Sequence, residues 1–455
     1  MSKMSKRSYQ IHRKLSVWLA LPVILWAVSG ILHPIMANWF RPSIAKTFLV
    51  PKPIPKTENL LAPSKVFPEV DELHQLKLIS LTNEPVYLGV TPDENWHFRS
   101  ALSGELLPNA DLNYAEQLAR AYADDQTSLL KNIEILTEFD STYGVINRLL
   151  PAYRVALDRP DGLEVVVDPR TGRLATFDTP AKRAMSRTFR WLHTWSFLGK
   201  PESKLRITCV LIVSVLALGV ALSGLVSLLT IKRSRLETSR RSWHRILGGV
   251  TFVFYFLFGL SGLAHVAAKY NYDDTTSWVS AQKISTLRLS RVPDPGFSKL
   301  SLAVIHDRSY YRTVRKEGVT YSDTETGLTL KNGEEIYAKE LALEFSNLQP
   351  EQIEKVEPIM KFQPDYGFIF KRLPVQRVHY TDASIISDAV DTEDAHMAMR
   401  TTPGRLVEAL SFTYLHKFHF LDFAGRNTRD ALSAIAAGLL ALTALSGILL
   451  YHHRR

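Results

Sequence analysis

His12-Arg13-Lys14-Leu15 opens an apolar run that closes on Ser29-Gly30-Ile31-Leu32-His33, and His244-Arg245-Ile246-Leu247 opens another that closes on Ser261-Gly262-Leu263-Ala264-His265. The blocks lie 232 positions apart, and each spaces its histidines by 21 residues. A second block, Leu192-His193-Thr194-Trp195-Ser196-Phe197-Leu198, returns 223 positions later as Leu415-His416-Lys417-Phe418-His419-Phe420-Leu421. The chain therefore reads as an internal duplication. What both copies keep is mostly histidine at the ends of membrane-length runs.

Four stretches, roughly 15–37, 205–231, 245–268 and 431–451, have apolar interiors free of Asp, Glu, Lys and Arg. Crossing the hydrocarbon core takes about 20 such residues, so each predicts a transmembrane helix. The mean hydropathy of −0.04 reflects dilution by two large polar segments. Basic residues set the orientation. Lys3, Lys6, Arg7, Arg13 and Lys14 precede the first span, Lys232, Arg233, Arg235, Arg240 and Arg241 crowd the second connector, and Arg454-Arg455 close the chain. All three flanks are expected in the cytoplasm of a bacterium, with the large segments in the periplasm. The expected division is 1–37, N-terminus and first helix; 38–204, first periplasmic domain with an interfacial segment; 205–231, second helix; and 232–244, basic loop. Then come 245–268, third helix; 269–430, second periplasmic domain with its interfacial segment; and 431–455, last helix and C-terminus. The net charge of +10 is then a matter of topology and anionic lipid, not of nucleic acid. The first span is too long for a signal-peptide core and is expected to stay uncleaved. The single cysteine, Cys209, lies within a span as a small packing residue, so no disulfide or Cys-based metal site is available.

The polar segments repeat as well. Tyr114-Ala115-Glu116 returns as Tyr337-Ala338-Lys339, Tyr143-Gly144 as Tyr366-Gly367, and Leu150-Pro151 with Arg154-Val155 as Leu373-Pro374 with Arg377-Val378. Residues 112–124 place Leu112, Ala115, Leu118, Ala119 and Tyr122 on one helical face. Tyr153–Leu157 and Leu163–Val167 alternate like strands around the turn Arg159-Pro160-Asp161-Gly162. A helix packed on an antiparallel sheet, hence an α+β domain, is the expectation for each copy.

Tyr153-x-Val155-x-Leu157 followed by Val165-Val166-Val167-Asp168-Pro169-x-Thr171-Gly172-x-Leu174 resembles a PepSY domain. With the His-Arg and Ser-Gly signatures, the chain resembles the PepSY-associated transmembrane proteins, or iron-regulated membrane proteins, along nearly its full length. That resemblance implies four transmembrane helices plus two PepSY-like periplasmic domains. It also implies kinship with inner-membrane reductases of ferric siderophores that carry haem b. The second copy departs from the motif, because no Asp-Pro-x-Thr-Gly follows Ser384–Val390.

An ionisable side chain at membrane depth marks function by default. Imidazole is the usual axial ligand of b-type haem, and a flat porphyrin needs two ligands from facing helices. Six histidines recur: His12 and His244 at the inner face, and His33, His265, His193 and His416 at the outer. Their alternative readings are a snorkelling basic cluster for the inner pair and aromatic-belt residues for His193 and His416. Twenty-one helical residues span about 31 Å, so His12 and His33 cannot share an iron. A twofold axis along the membrane normal would face His12 with His244. The outer four suit two bis-histidine sites, within or across copies, and the spacing leaves that choice open. Ser29-Gly30, Ser223-Gly224, Ser261-Gly262 and Ser446-Gly447 fit either close helix packing or room for a macrocycle. His419, His452 and His453 read as interface residues, and His396-Met397-Ala398-Met399 as a surface loop. Asp140, Tyr143, Asp365 and Tyr366 suit either the rim of an iron-chelate site or domain core.

No Gly-rich phosphate loop or hydrolase motif is present. The expected protein is an inner-membrane cytochrome with two or more bis-histidine haem b groups. It would take electrons from a quinol or a partner protein and reduce a ferric chelate or siderophore in the periplasm. The alternatives are a haem-free anchor whose PepSY domains bind peptides or restrain a protease, and a metal permease component.

Overall fold

The computed structural model describes residues 3–39, 53–231, 239–271, 278–363 and 365–452. Lys232, Arg233 and Arg235 of the basic connector, and His453-Arg454-Arg455, lie outside them. The helices among these residues are α1 (Lys3–Trp39), α2 (Pro63–Val66), α3 (Ala110–Ala123), α4 (Pro180–His193) and α5 (Lys204–Thr230). They continue with α6 (Ser239–Ala268), α7 (Gly333–Ser346), α8 (Pro403–Ser411) and α9 (Arg426–His452). Four of them, α1, α5, α6 and α9, are long and apolar enough to cross a membrane, which makes this a multi-pass membrane protein. Two begin earlier than the apolar runs suggest. Lys and Arg are good helix formers whose long stems reach back to a polar interface, so α1 starts at Lys3 and α6 at Ser239. His12 and His244 therefore sit within helices, not at their heads.

The chain forms two compact units, one holding the long helices with α4 and α8, the other holding residues 42–179 and 274–403. In the helical unit α1 packs on α5 and α9, and α6 packs on the same two, so α1 and α6 occupy opposite corners of a ring. Small polar residues stitch the corners. The Ser8 hydroxyl donates to Ser223 O at 3.0 Å, and the Thr251 and Thr443 hydroxyls meet at 3.2 Å. α4 runs back along α1, with Ser186 Oγ 3.4 Å from Met36 Sδ and Trp195 stacked on Trp26 at 5.5 Å. Beyond α4 the chain reverses through a short 3₁₀ turn (Ser196–Leu198) into α5. That reversal exposes carbonyls that need donors. Arg206 supplies them, from Nε to Thr194 O at 2.6 Å and from Nη1 to Gly199 O at 3.1 Å. In the second half α8 runs on through a π-helical turn (Phe412–His416) along α6.

The second unit is sheet-rich. Strands Thr329–Leu330, Gly318–Asp323, Arg308–Arg315, Lys299–Ile305, Gln75–Leu81, Glu84–Val90 and Trp96–Ser100 form one seven-stranded sheet in that order. Its two portions join where Leu300 pairs with Leu78. Phe67, Leu76, Tyr87, Leu302 and Tyr311 fill its core. Two four-stranded antiparallel sheets follow the same plan. One is Leu130–Leu136, Ala152–Leu157, Glu164–Asp168 and Arg173–Asp178; the other is Ile353–Ile359, Val375–Tyr380, Ser387–Asp391 and His396–Thr401. α3 buries Ala115, Leu118, Ala119 and Tyr122 against the first, on the face its periodicity predicts. α7 buries Tyr337, Ala338 and Leu341 against the second. These are α+β layers.

His396–Met399 is not a surface loop. It is the last strand of the second sheet, because Met397 and Met399 sit inside and His396 is only 7% exposed. Tyr143 and Tyr366 are fully buried and donate to Leu149 O and Arg372 O, which makes them core. The Asp168 turn closes on itself, its carboxylate accepting from Arg170 N at 2.9 Å and Thr171 Oγ1 at 2.7 Å. The matching turn of the second half, Asp391-Thr392-Glu393-Asp394, instead meets cations. Arg173 and Arg372 reach Asp391 at 2.8 and 2.9 Å, and Lys299 reaches Glu393 at 2.6 Å. Asp394 pairs with Lys77, Arg173 and Arg372. Burial alone would raise the Glu393 and Asp394 carboxyls, but these cations hold both below the usual range.

Candidate functional site

Within the helical unit the six repeated histidines fall into two layers. In the first, His12 on α1 and His244 on α6 bring their ring centroids to 6.3 Å. His12 Nδ1 donates to Val220 O of α5 at 3.0 Å. Gly224, one turn on, lies under the ring, and a Cβ there would come within 2.8 Å of His12 Cε1. The His244 arrangement is parallel. Its Nδ1 lies 2.8 Å from Ser446 Oγ of α9, and Gly447 would carry a Cβ 3.3 Å from His244 Cε1.

In the second layer His193 ends α4 with Nδ1 3.0 Å from Ser29 Oγ, and His416 ends the π turn with Nδ1 3.0 Å from Ser261 Oγ. Their ring centroids are 6.2 Å apart, nearly edge to face. His33 meets Phe189 at 6.0 Å, and Phe189 stacks on His193 at 4.7 Å. His265 stacks on Phe412 at 4.9 Å, and Phe412 on His416 at 4.9 Å. A phenyl ring thus lies between the two histidines within each half, whereas His193 and His416 meet directly.

The serines bias the tautomers. The Ser29 hydroxyl lies 2.6 Å from Leu25 O and 3.1 Å from Trp26 O, so donating along its own helix leaves it to accept from Nδ1–H of His193. Ser261 is committed to Phe258 O and Ser446 to Thr443 O, with the same consequence for His416 and His244. For His12 the partner is a carbonyl, which can only accept. Four imidazoles therefore hold Nδ1–H fixed and keep the Nε2 lone pair, the arrangement of a metal-ligating histidine whose other nitrogen is tied down. Loss of water pushes His193 down to about 4 and His416 to about 3, the latter also through neighbouring histidines, so both are neutral at neutral pH. Among the described residues no three His, Cys, Asp or Glu side chains converge on a bare-ion site. Axial ligation needs only two.

Residues 94–296 match the family model described as the PepSY-associated TM region. The chain carries a PepSY-associated transmembrane region. The matched stretch includes the first four-stranded sheet, α4, α5 and α6, and so covers His193, His244 and His265. It supports the PepSY-associated transmembrane family, as the Tyr153–Leu174 motif implied. No curated protein matches the chain.

Two groups in this chain escape a reading based on repeated histidines. Arg206 lies just inside its apolar run, and Arg429, 223 positions later, bonds Asp422 at 2.5 Å and Asp430 at 3.2 Å. That recurrence is a usable signal. Glu408, whose carboxylate is hydrogen-bonded to His265 Nδ1, has Met185 at its counterpart position, so repetition alone discards it. His452 stacks edge-on with Tyr451 and His419 pairs with Asp422, both apart from the two layers.

Proposed function

We propose that this protein is a bacterial inner-membrane haem b protein that carries electrons across the bilayer to ferric iron held by a siderophore or other chelator. The observation that carries the reading is the four-fold recurrence of an imidazole whose Nδ1 is tied to a neighbouring helix, three times at a serine hydroxyl and once at a backbone carbonyl, with Nε2 left to bind. The separations fit as well. Two metal–imidazole bonds of about 2.0 Å plus two half-rings give centroids roughly 6 Å apart, against 6.3 Å for His12 with His244 and 6.2 Å for His193 with His416. His12 and His244 would hold the inner haem. Among the outer four, Phe189 and Phe412 favour pairing across the halves over pairing within one. Both chain termini would be cytoplasmic and the sheet-rich unit periplasmic, and we read the halves as copies of one ancestor.

Bound haem supplies one-electron exchange between ferric and ferrous iron. The chain's own residues fix the imidazole orientation, exclude water and set the two layers. A quinol in the bilayer would give two electrons and two protons, becoming quinone, while two ferric chelates each take one electron; a partner protein is the other donor class. Hard oxygen donors hold Fe(III) better than Fe(II), so reduction loosens the chelate.

Purified protein, made with ample haem, should show Soret and α bands that sharpen with dithionite. His12→Ala or His244→Ala should remove the inner signal, and His33→Ala, His193→Ala, His265→Ala or His416→Ala the outer, while His452→Ala leaves the spectrum intact. A colourless wild-type preparation sinks the proposal.

A further inference from the structure

The two halves treat their outer histidines differently. In the second half the Glu408 carboxylate, on α8, accepts a hydrogen bond from His265 Nδ1. The pair is partly buried, with side-chain exposures of 24% for Glu408 and 35% for His265. The counterpart of Glu408 in the first half is Met185, a side chain with no carboxylate to offer, although the flanking Phe189 and Phe412 are retained. The other tethered histidines, His12, His193, His244 and His416, rest on a neutral serine or carbonyl. Among the described residues, His265 alone of the six bonds a carboxylate.

A carboxylate on the far nitrogen does two things to an imidazole ligand. It fixes the ring so that Nε2 faces outward, and it draws Nδ1–H toward itself, which enriches the ring and makes Nε2 a stronger donor. A stronger axial donor favours Fe(III) over Fe(II), and hydrogen bonding around the ligand is one of the protein's levers on haem potential.

We propose that Glu408 is a positioning residue that lowers the reduction potential of the haem iron that takes His265, so that the outer layer holds inequivalent electron sites. The proposal rests on the haem reading above. The inequivalence orders the outer layer: an electron passes downhill from the site supported by Glu408 toward its unsupported neighbour.

The test is a potentiometric titration of the full-length protein in detergent, followed at the α band, with haem content measured in parallel. Glu408→Gln keeps an acceptor but removes the charge; Glu408→Met installs the first-half residue. One transition should move to higher potential in both variants, further in Met than in Gln. In Met the reduced-to-oxidised ratio at the wild-type midpoint should change at least tenfold, which is about 59 mV for one electron. The remaining transitions should stay in place. Full haem content with every midpoint unchanged would overturn the role of Glu408 and leave the haem reading intact. Loss of one haem from both variants, instead of a shifted potential, would make Glu408 a structural prop and also overturn it. A wild type without haem bands removes the earlier reading itself.

Discussion

A serine hydroxyl meets an imidazole at His193, His244 and His416, a glycine lies against the ring at His12, His193 and His244, and the two residue types contribute differently. The hydroxyl fixes which nitrogen carries the proton; the missing side chain gives the ring a surface to lie on. The contacts rank the glycines. An alanine Cβ at position 224 would meet His12 at 2.8 Å, at 447 would meet His244 at 3.3 Å, and at 219 would meet nothing within 4 Å. Gly224→Ala should therefore cost the most inner haem, Gly447→Ala less, and Gly219→Ala none, read as haem per protein. Ser29→Ala removes the acceptor for His193, and such outer-shell losses typically weaken metal binding 10–100-fold; haemin titration of the stripped protein checks it. The sequence announced these dipeptides by repetition but left them open between helix packing and room for a macrocycle. Their contact with the ring of a neighbouring helix is tertiary, and no one-dimensional spacing encodes which helix lies alongside.

At the scale of elements, the four long helices were legible because a membrane demands an unmistakable run of apolar residues. The path of α4 back along α1 was not, since an amphipathic aromatic stretch states that it has an apolar face without stating what covers it. Arg206 shows what the reversal costs. Thr194 O and Gly199 O have no water at hand if the turn is set in the membrane, so the guanidinium fork satisfies both. Replacing Arg206 with Ala should destabilise the protein by about 2–6 kcal/mol, from an unsatisfied-carbonyl penalty of about 1–3 kcal/mol each. Thermal unfolding in detergent is the measurement, with Arg206→Lys recovering only part because an ammonium lacks the fork.

For the whole molecule, the hydrophobic alternation foretold the two middle strands of the first four-stranded sheet, while the seven-stranded sheet was hidden, because its joining pair, Leu78 and Leu300, lies on widely separated segments. The acidic turn of the second four-stranded sheet was equally hidden: the sequence showed only that Asp-Pro-x-Thr-Gly is missing there, yet the replacement recruits Lys77 and Arg173. Glu393 and Asp394 of that turn, with Glu334 held down by Arg312 against the upward push of burial, titrate lower in the folded chain than in the unfolded one. Their contribution is complete above the unfolded values, roughly pH 4, and is lost as pH falls through the folded ones. Protection from hydrogen exchange in the sheet-rich unit should hold from pH 7 to about 5, begin to fall near about 4 and be lost by about 2. Asp394→Asn should leave it weaker at neutral pH, by about 3–5 kcal/mol, the usual result of stranding one side of a buried pair, with the gap closing as pH falls through the folded carboxyl value.

That turn also has a consequence in time. The first half contributes buried cations at Lys77 and Arg173, and their acids at Asp391, Glu393 and Asp394 come from the second. Arg173 and its partner Asp394 are 221 residues apart. As the ribosome delivers the chain, the first half stands complete in length yet must keep those two side chains hydrated until the later turn arrives. The sheet-rich unit cannot close during synthesis of its first segment, and two first halves could not substitute for the pair.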